Sequence, residues 1–134
     1  MSFETRVEII DLGDELLLGL RDNIHLVHIG DKLAERGLEV DYAQIVQDNP
    51  EEIRKHFSDS WERAGLVITT GGLGPTVDDL TRETIAEILD LPLVFHQEIL
   101  DHIEERFTRR NQEMPEANKK QCYVPEGAEI LVNR

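Results

Sequence analysis

The chain has 134 residues, of which 40% are hydrophobic and 31% charged, a composition typical of one globular domain with a single core. Its 28 acidic and 14 basic residues give a formal net charge of −14, which would repel a phosphate backbone and argues against nucleic-acid binding. No stretch approaches the ~20 apolar residues of a membrane span, the N-terminus shows no signal-peptide pattern, and the single cysteine, Cys122, suits a reducing compartment. We therefore expect a cytoplasmic protein that binds neither nucleic acid nor membrane.

Strands and helices alternate along most of the chain. The predicted elements are a strand at 6–12, a helix at about 24–36, a strand at 38–46, a helix from Pro50 that ends before Gly65, a strand at 66–70, and helices at about 78–89 and 97–110. Such alternation predicts βαβ units and a mostly parallel sheet covered on both faces. The nearly continuous apolar character of 66–70 predicts a strand buried on both faces.

Two local patterns fix finer expectations. The run Asp48-Asn49-Pro50-Glu51-Glu52 is a strong helix start, since Asn caps well and Pro suits the first helical position. Ile53, Phe57 and Trp61 then recur at helical spacing, which predicts that all three pack in the core.

The end of the chain has a different texture. Residues 121–124 and 128–132 are predicted as two short strands, with a turn at 125–127 between them. The fold class expected is therefore α/β, a three-layer α/β/α domain spanning residues 1–134 with a mostly parallel sheet and a short late β-hairpin.

The stretch after the third strand carries the clearest functional signal. Gly71, Gly72 and Gly74 leave backbone N–H groups uncovered, and a helix follows, which together make a cradle for a phosphate. Asp78 and Asp79 stand at the predicted helix start, where they can cap the helix or hold a divalent cation. The loop lacks the Gly-Lys-Ser/Thr of a Walker A motif and the third glycine of a dinucleotide-binding turn.

The topology predicts that this loop meets an acidic turn. In doubly wound sheets strands one and three become neighbours at a switch point, and ligands bind beyond the carboxyl ends of the strands. Gly13, Asp14 and Glu15 follow strand one directly. We therefore expect Asp14, Glu15, Asp78 and Asp79 to line one crevice with the glycine loop.

Two stretches, 13–19 and 69–83, together with Met114-Pro115-Glu116, Asn118, Lys120-Gln121 and 124–128, resemble the amino-terminal domain of the CinA (competence/damage-inducible protein A) family. That domain belongs to the wider MoaB/MogA-like, molybdopterin-binding superfamily. The resemblance implies a three-layer α/β/α fold, binding of a phosphorylated pterin or nucleotide, and metal-dependent pyrophosphate hydrolysis of ADP-ribose. It also implies a homo-oligomer.

The candidate site residues come from the motif and from its chemistry. The expected ligand-binding residues are Gly13, Asp14, Asn23, Thr70, Gly71, Gly72, Leu73, Gly74, Pro75 and Thr76. The expected metal ligands are Asp78 and Asp79, then Asp14 and Glu15, whose hard oxygens suit Mg²⁺, with Co²⁺ or Mn²⁺ as alternatives. Asp78, Asp79 and Lys120 are the expected catalytic residues. Lys119 and Lys120 are the best cations for a phosphate in this acidic chain, and for Lys120 the resemblance carries most of the weight. A helix cap at Asp78, a solvated acid at Glu15 and a plain surface pair at Lys119 and Lys120 are the alternatives.

The family continues beyond the matching stretch into a Gly-Thr-Ala-Pro-Gly-like loop and often into a nicotinamide-mononucleotide deamidase domain. By this resemblance the domain is expected to be incomplete at its C-terminus. Three functions stay open at this point. They are a metal-dependent pyrophosphatase, a binding module without catalysis, and a scaffold for the deamidase domain.

Overall fold

A computed structural model describes residues 5–132. The strands β1 to β5 are, in chain order, Val7–Leu12, Tyr42–Val46, Leu66–Thr70, Leu93–Phe95 and Tyr123–Pro125. The α-helices α1 to α5 are Asp14–Leu17, Ile24–Ala34, Pro50–Arg63, Thr81–Ile88 and Gln97–Thr108, and a 3₁₀ helix spans Glu116–Cys122. Within these residues, no helix combines the length and the apolar character that crossing a membrane requires.

The central sheet contains three parallel strands in the order β2-β1-β3. Asp11 of β1 pairs with Ile45 of β2 and with Thr70 of β3, so the three strands end at the same edge. β1 has a strand on each side and is buried along its whole length. The order confirms the predicted switch, because β1 and β3 are neighbours and their loops leave from one edge.

Alternate residues of β1 point to opposite layers of helices, as the pleat of a strand requires. Ile10 and Leu12 join Ile53 and Phe57 of α3 in the hydrophobic core. On the other face, the carboxylate of Asp11 accepts a hydrogen bond from the residue that precedes α2. The chain therefore has the predicted α/β/α layering.

Helix α3 begins as predicted but does not bury its whole stripe. Asn49 caps it with its side chain, and Pro50 is its first residue. Phe57 is buried, whereas Trp61 has 55% of its surface exposed and stacks on Phe57 with the ring centroids 5.6 Å apart. The prediction of a core tryptophan was wrong, because the stripe leaves the core in the last turn of the helix.

The burial predicted for the third strand belongs to the first one instead. Val67, Ile68, Thr69 and Thr70 of β3 are only partly buried, and Leu66 is exposed. β3 pairs only with β1 among the described residues, so it forms an edge of this sheet. The apolar run therefore predicted a parallel strand correctly, but it did not show which strand lies at the centre of the sheet.

The small antiparallel sheet exists, but its strands are not the two predicted from the late sequence. Tyr123–Pro125 pairs with Leu93–Phe95, which follows directly after Pro92. Phe95 and Tyr123 make an edge-to-face contact with centroids 5.4 Å apart, and this cross-strand pair helps to select the partner. Residues 121–122 end the 3₁₀ helix, and 128–132 have no regular structure, so the predicted late hairpin was wrong.

A buried acid lies near the other end of the sheet, where the parallel strands begin. Glu8 of β1 is fully buried and accepts two hydrogen bonds from Arg63, at 2.7 and 2.9 Å, and one from Arg6 at 2.7 Å. The hydrogen bonds from Arg63 lower the pKa of Glu8 to about 2, with Ser60 and Arg6 adding to the effect against the cost of burial. The guanidinium of Arg63 also lies 5.2 Å from the centroid of the Tyr42 ring.

This ion pair predicts a pH-dependent stability. Because the folded state depresses the pKa of Glu8 from 4.5 to about 2, its contribution is complete above pH 4.5 and is lost as the pH falls toward 2. We expect Glu8→Gln to lower the free energy of unfolding at pH 7 by up to about 3 kcal/mol. Urea denaturation of both proteins across this pH range measures it. The deficit should shrink with acidification, whereas Glu62→Gln, on an exposed residue of α3, should leave stability nearly unchanged; an E8Q deficit that stays constant down to pH 2 would contradict the assignment.

Candidate functional site

Three loops meet where the parallel strands end. The backbone N–H of Gly13, after β1, donates to the carbonyl of Val46 in β2 at 3.1 Å. The backbone N–H of Asp48, after β2, donates to the side chain of Asp14 at 3.2 Å. The loop after β3 reaches the same place, since Gly71 lies against the carbonyl of Leu12. The predicted meeting of the acidic turn and the glycine loop is confirmed, and the end of β2 joins them.

Glycine is required at two positions of the loop for steric reasons. Gly71 and Gly72 have φ of 86° and 63°, a region that favours glycine. A Cβ on Gly71 would lie 2.0 Å from the carbonyl oxygen of Leu12, and a Cβ on Gly72 would lie 2.0 Å from the hydroxyl of Thr81. The loop backbone is therefore seated directly on β1 and on the start of α4.

Asp79 shapes the middle of the loop. Its carboxylate oxygen Oδ2 accepts hydrogen bonds from the backbone N–H of Thr76 at 2.9 Å and from the Thr76 hydroxyl at 2.5 Å. These hydrogen bonds, the hydroxyl of Thr76 first, lower the pKa of Asp79. Helix α4 consequently begins at Thr81 rather than at Asp78, because residues 76–79 form a separate turn.

Donors from the 3₁₀ helix and from α4 also hold the loop, by hydrogen bonds to the carbonyl groups of the loop. The ammonium of Lys120 donates to the carbonyl of Thr76 at 2.7 Å and also to the carbonyl of Asp79. The side chain of Gln121 donates to the carbonyl of Leu73 at 3.3 Å, and the N–H of Thr81 donates to the carbonyl of Gly72 at 3.2 Å. With these carbonyls anchored, the loop is held in one orientation.

The residue that sequence reasoning missed is Asp48. Its oxygen Oδ1 is buried without a hydrogen-bond partner and lies 3.0 Å from the position of a Cβ on Gly72. Burial raises the pKa of Asp48, and the charges of four more carboxylates raise it further, in the order Asp79, Asp14, Glu15 and Asp78. All four acids predicted from the sequence therefore raise the pKa of one partly buried carboxylate, Asp48. The sequence indicated this residue only as part of a helix start.

A second orphaned group lies beside it. The hydroxyl of Thr81 is buried and has no partner, and it faces the same side of Gly72 as Asp48. Buried polar groups without partners are costly and uncommon. Two of them beside a glycine loop indicate a place prepared for a polar ligand.

Three of the metal ligands predicted from the sequence, Glu15, Asp14 and Asp78, differ in their surroundings. The carboxylate of Glu15 folds back to within 2.9 Å of a Cβ position on Gly13, Asp14 uses one oxygen on the backbone of Asp48, and Asp78 is exposed. Among residues 5–132, no three His, Cys, Asp or Glu side chains are arranged as a ready-made metal cage. Any cation bound here would therefore take only one or two carboxylates and would complete its shell with water and ligand oxygens, as Mg²⁺ commonly does.

Thr70 and Asn23, which the sequence predicted as ligand-binding residues, both form hydrogen bonds to Asp11. Asp11, buried in β1, accepts hydrogen bonds at 2.6 Å from the hydroxyl of Thr70 and at 2.6 Å from the amide of Asn23. Asn23 also caps α2, accepting from the backbone of Leu26 at 3.2 Å. Asp11 thus ties the end of β3 to the start of α2. An acid in a mostly apolar strand was the only sequence signal for it, and β1 also carries Glu8.

Comparison with known proteins is consistent with this geometry. The family described as "Probable molybdopterin binding domain" matches residues 8–131. A CinA-like protein of Gloeobacter violaceus is 48% identical over 126 residues, 94% of this chain and 30% of that protein. A putative competence-damage inducible protein of Bacillus subtilis is 44% identical over 133 residues, 99% of this chain and 32% of that protein. This chain thus spans about a third of the length of such relatives.

Solved structures show the same architecture. CinA from Thermoplasma acidophilum superposes with a TM-score of 0.78 at 29% identity, covering 91% of this chain and 71% of that one. The tungsten cofactor synthesizing protein MoaB from Pyrococcus furiosus gives a TM-score of 0.62 at 26% identity, covering 82% and 69%.

The seat of Gly71 predicts a large steric cost for any side chain there. Gly19 has a similar φ of 68° but open space around its Cβ position, so Gly19→Ala should cost only the backbone strain, about 1 kcal/mol. Gly71→Ala should cost several times more, because its methyl group meets the carbonyl of Leu12. Urea denaturation compares the two variants, and equal losses of stability would show that the loop does not rest on β1.

The anchoring by Lys120 predicts a mobile loop when the ammonium is removed. In Lys120→Met, backbone amides of residues 71–80 should exchange with solvent at least about tenfold faster, since hydrogen bonds from a charged donor are lost. Lys119→Met is the matched control, because Lys119 pairs with the exposed Glu116 at 2.8 Å and does not contact the loop. Native-state hydrogen exchange measures both, and equal exchange in the two variants would argue against the anchor.

Proposed function

Because the chain belongs to the family of probable molybdopterin-binding domains, in its CinA-like branch, we propose that it binds a phosphorylated nucleotide or pterin at the crevice beside the glycine loop. We further propose that, with a divalent cation, it hydrolyses the pyrophosphate of ADP-ribose or of a related nucleotide diphosphate. The observation that supports this best is the buried, unpartnered oxygen of Asp48, which faces Gly72 among four other carboxylates.

The glycine loop supplies the proposed phosphate contacts. The carbonyls of Gly72 and Leu73 already accept hydrogen bonds from α4 and from the 3₁₀ helix. The backbone N–H groups of the same stretch are the donors that we assign to a phosphate, as in other glycine-rich loops. Glycine at this position permits the close approach that such contacts need.

Charge supports a role for a cation. A phosphate entering this crevice would meet Asp48 and the four carboxylates around it. Burial raises the pKa of Asp48, and the charges of Asp79, Asp14, Glu15 and Asp78 raise it further. The donor set is made of hard carboxylate oxygens, which suit Mg²⁺ and also accept Mn²⁺ or Co²⁺. When bound, such an ion neutralises phosphate charge and makes a water more acidic. We propose Asp48 as its principal ligand, with the carboxylate of Asp79 as a second one.

The remaining predicted residues take supporting roles in this proposal. Lys120 is a positioning residue, because its ammonium is engaged by loop carbonyls. Asp78 is exposed at the mouth of the crevice, where it can accept a proton from water. Asp14 holds the backbone of Asp48 in place.

A binding module without hydrolysis is the second candidate. Two of the three predicted catalytic groups, Asp79 and Lys120, already hold the loop in shape. This commitment favours a rigid receptor. Calorimetry separates the candidates: pterin binding that is tight and independent of divalent metal would favour the module, while metal-dependent binding of ADP-ribose would favour the hydrolase.

Asp48→Asn tests the hydrolase directly. It removes the charge and keeps the shape, so release of AMP from ADP-ribose with Mg²⁺, Mn²⁺ or Co²⁺ should fall by about 100-fold or more. Asp59→Asn, on the exposed face of α3, is the matched control and should retain activity. The absence of turnover by the unmutated protein with all three metals would reject hydrolysis, and undiminished turnover in D48N would reject the assigned ligand.

The same variant carries a second, independent signature. A raised pKa means that the folded state disfavours the ionised form of Asp48, so the ionised group destabilises the protein above its unfolded pKa of 3.8. Without metal, Asp48→Asn should therefore raise the urea midpoint at pH 7 and lose this advantage as the pH falls toward 3.8. A D48N protein that is less stable than the parent at pH 7 would mark Asp48 as a structural residue.

A further inference from the structure

A cleft of about 650 Å³ lies on the other side of the glycine loop. Leu73 and Pro75 of the loop form one wall, and Ile103 and Phe107 of α5 form the facing wall. Gly72, by contrast, faces Asp48 and Thr81. The cleft and the acidic crevice thus share the glycine loop, the cleft through the side chains of Leu73 and Pro75 and the crevice through the loop backbone. The cleft has the volume of a typical small-molecule site.

The charge of this cleft is opposite to that of the protein. Acidic residues outnumber basic ones 28 to 14 in the chain, yet the described residues that line the cleft include three arginines, Arg82, Arg106 and Arg110, and no carboxylate. Arg106 lies in the last turn of α5, and Arg110 follows just after the end of this helix. Neither appears in an ion pair among residues 5–132, whereas the neighbouring Arg109 pairs with Glu105 at 2.5 Å.

Arg82 sits deepest. Only 9% of its side chain is exposed, and its Nη2 donates to Glu83 at 2.6 Å. Its Nε is buried and has no hydrogen-bond partner. A guanidinium presents its donors in a planar fork that matches an oxyanion, so the unpartnered Nε and the two exposed arginines are suited to the same acceptor.

We infer that this cleft binds an organic oxyanion, a phosphate or carboxylate joined to an apolar or aromatic body. Arg82, Arg106 and Arg110 hold the charged group. Phe107 and Ile103, with Leu73 and Pro75 opposite, contact the apolar body. The site needs no divalent metal, because its cations belong to the protein, and it stands apart from the function proposed for the acidic crevice.

Titration with phenyl phosphate and with phenylacetate, in EDTA and followed by calorimetry, tests the inference. At least one of the two probes should bind, and the phosphate probe should bind more tightly than inorganic phosphate, because the cleft also buries the phenyl ring. The double variant Arg106→Gln/Arg110→Gln should weaken binding at least tenfold. Which probe binds distinguishes phosphate from carboxylate recognition, and the absence of binding by both would overturn the inference.

Two controls keep the result specific. Arg36→Gln/Arg109→Gln removes the same charge from exposed positions outside the cleft and should leave affinity within twofold; an equal loss in both double variants would reduce the effect to net charge and overturn the site. Asp48→Asn should not change phenyl phosphate binding. Binding that depends on Asp48 or on added Mg²⁺ would place the probe in the acidic crevice and would likewise overturn the inference, whatever the outcome for hydrolysis.

Discussion

The seating of the glycine loop on β1 is the constraint on which the rest of the site depends. Gly71 lies so close to the carbonyl of Leu12 that no side chain fits, because β3 pairs with β1 up to the residues just before them, Thr70 and Asp11. Once the backbone is seated there, Gly72 faces Asp48 on one side while Leu73 and Pro75 form the wall of the arginine cleft on the other. One backbone path therefore separates a strongly acidic surface from a basic one.

The two ends of β1 show how differently a buried acid can be accommodated. At one end, Glu8 is surrounded by Arg63, Arg6 and Ser60, and its pKa falls. Near the other end, just after β2, burial raises the pKa of Asp48, and the charges of four carboxylates raise it further. Evolution commonly retains such an unfavourable group only where it serves a function. The stabilised acid holds the fold together, and the destabilised acid marks the candidate site.

The sequence predicted the features that follow from local chemistry and from chain topology. The cap at Asn49, the strand order and the meeting of the Gly13 and Gly71 loops all follow from short patterns or from handedness. It did not predict features that depend on which distant groups become neighbours. Asp48 looked like part of a helix start and Tyr123–Pro125 like half of a hairpin, because their partners, Gly72 and Leu93–Phe95, lie far away along the chain. For the same reason the sequence did not indicate that Lys120 holds the loop through the carbonyl of Thr76. The prediction that Trp61 is buried was wrong for a related reason, since the spacing of apolar residues along a helix does not reveal where the sheet beneath the helix ends.

The anchoring of the loop by Lys120 has a consequence for the order in which the molecule assembles. The lysine lies 44 residues after Thr76 and 41 after Asp79, and the segment that carries it comes after α4, β4 and α5. All three strands of the parallel sheet lie within residues 7–70, whereas the loop is fastened by a residue of the 3₁₀ helix. Because a chain is synthesised from its N-terminus, the strands of the sheet are made before the lysine that fastens the loop. The candidate site is therefore completed by a segment that is made after the sheet that supports it.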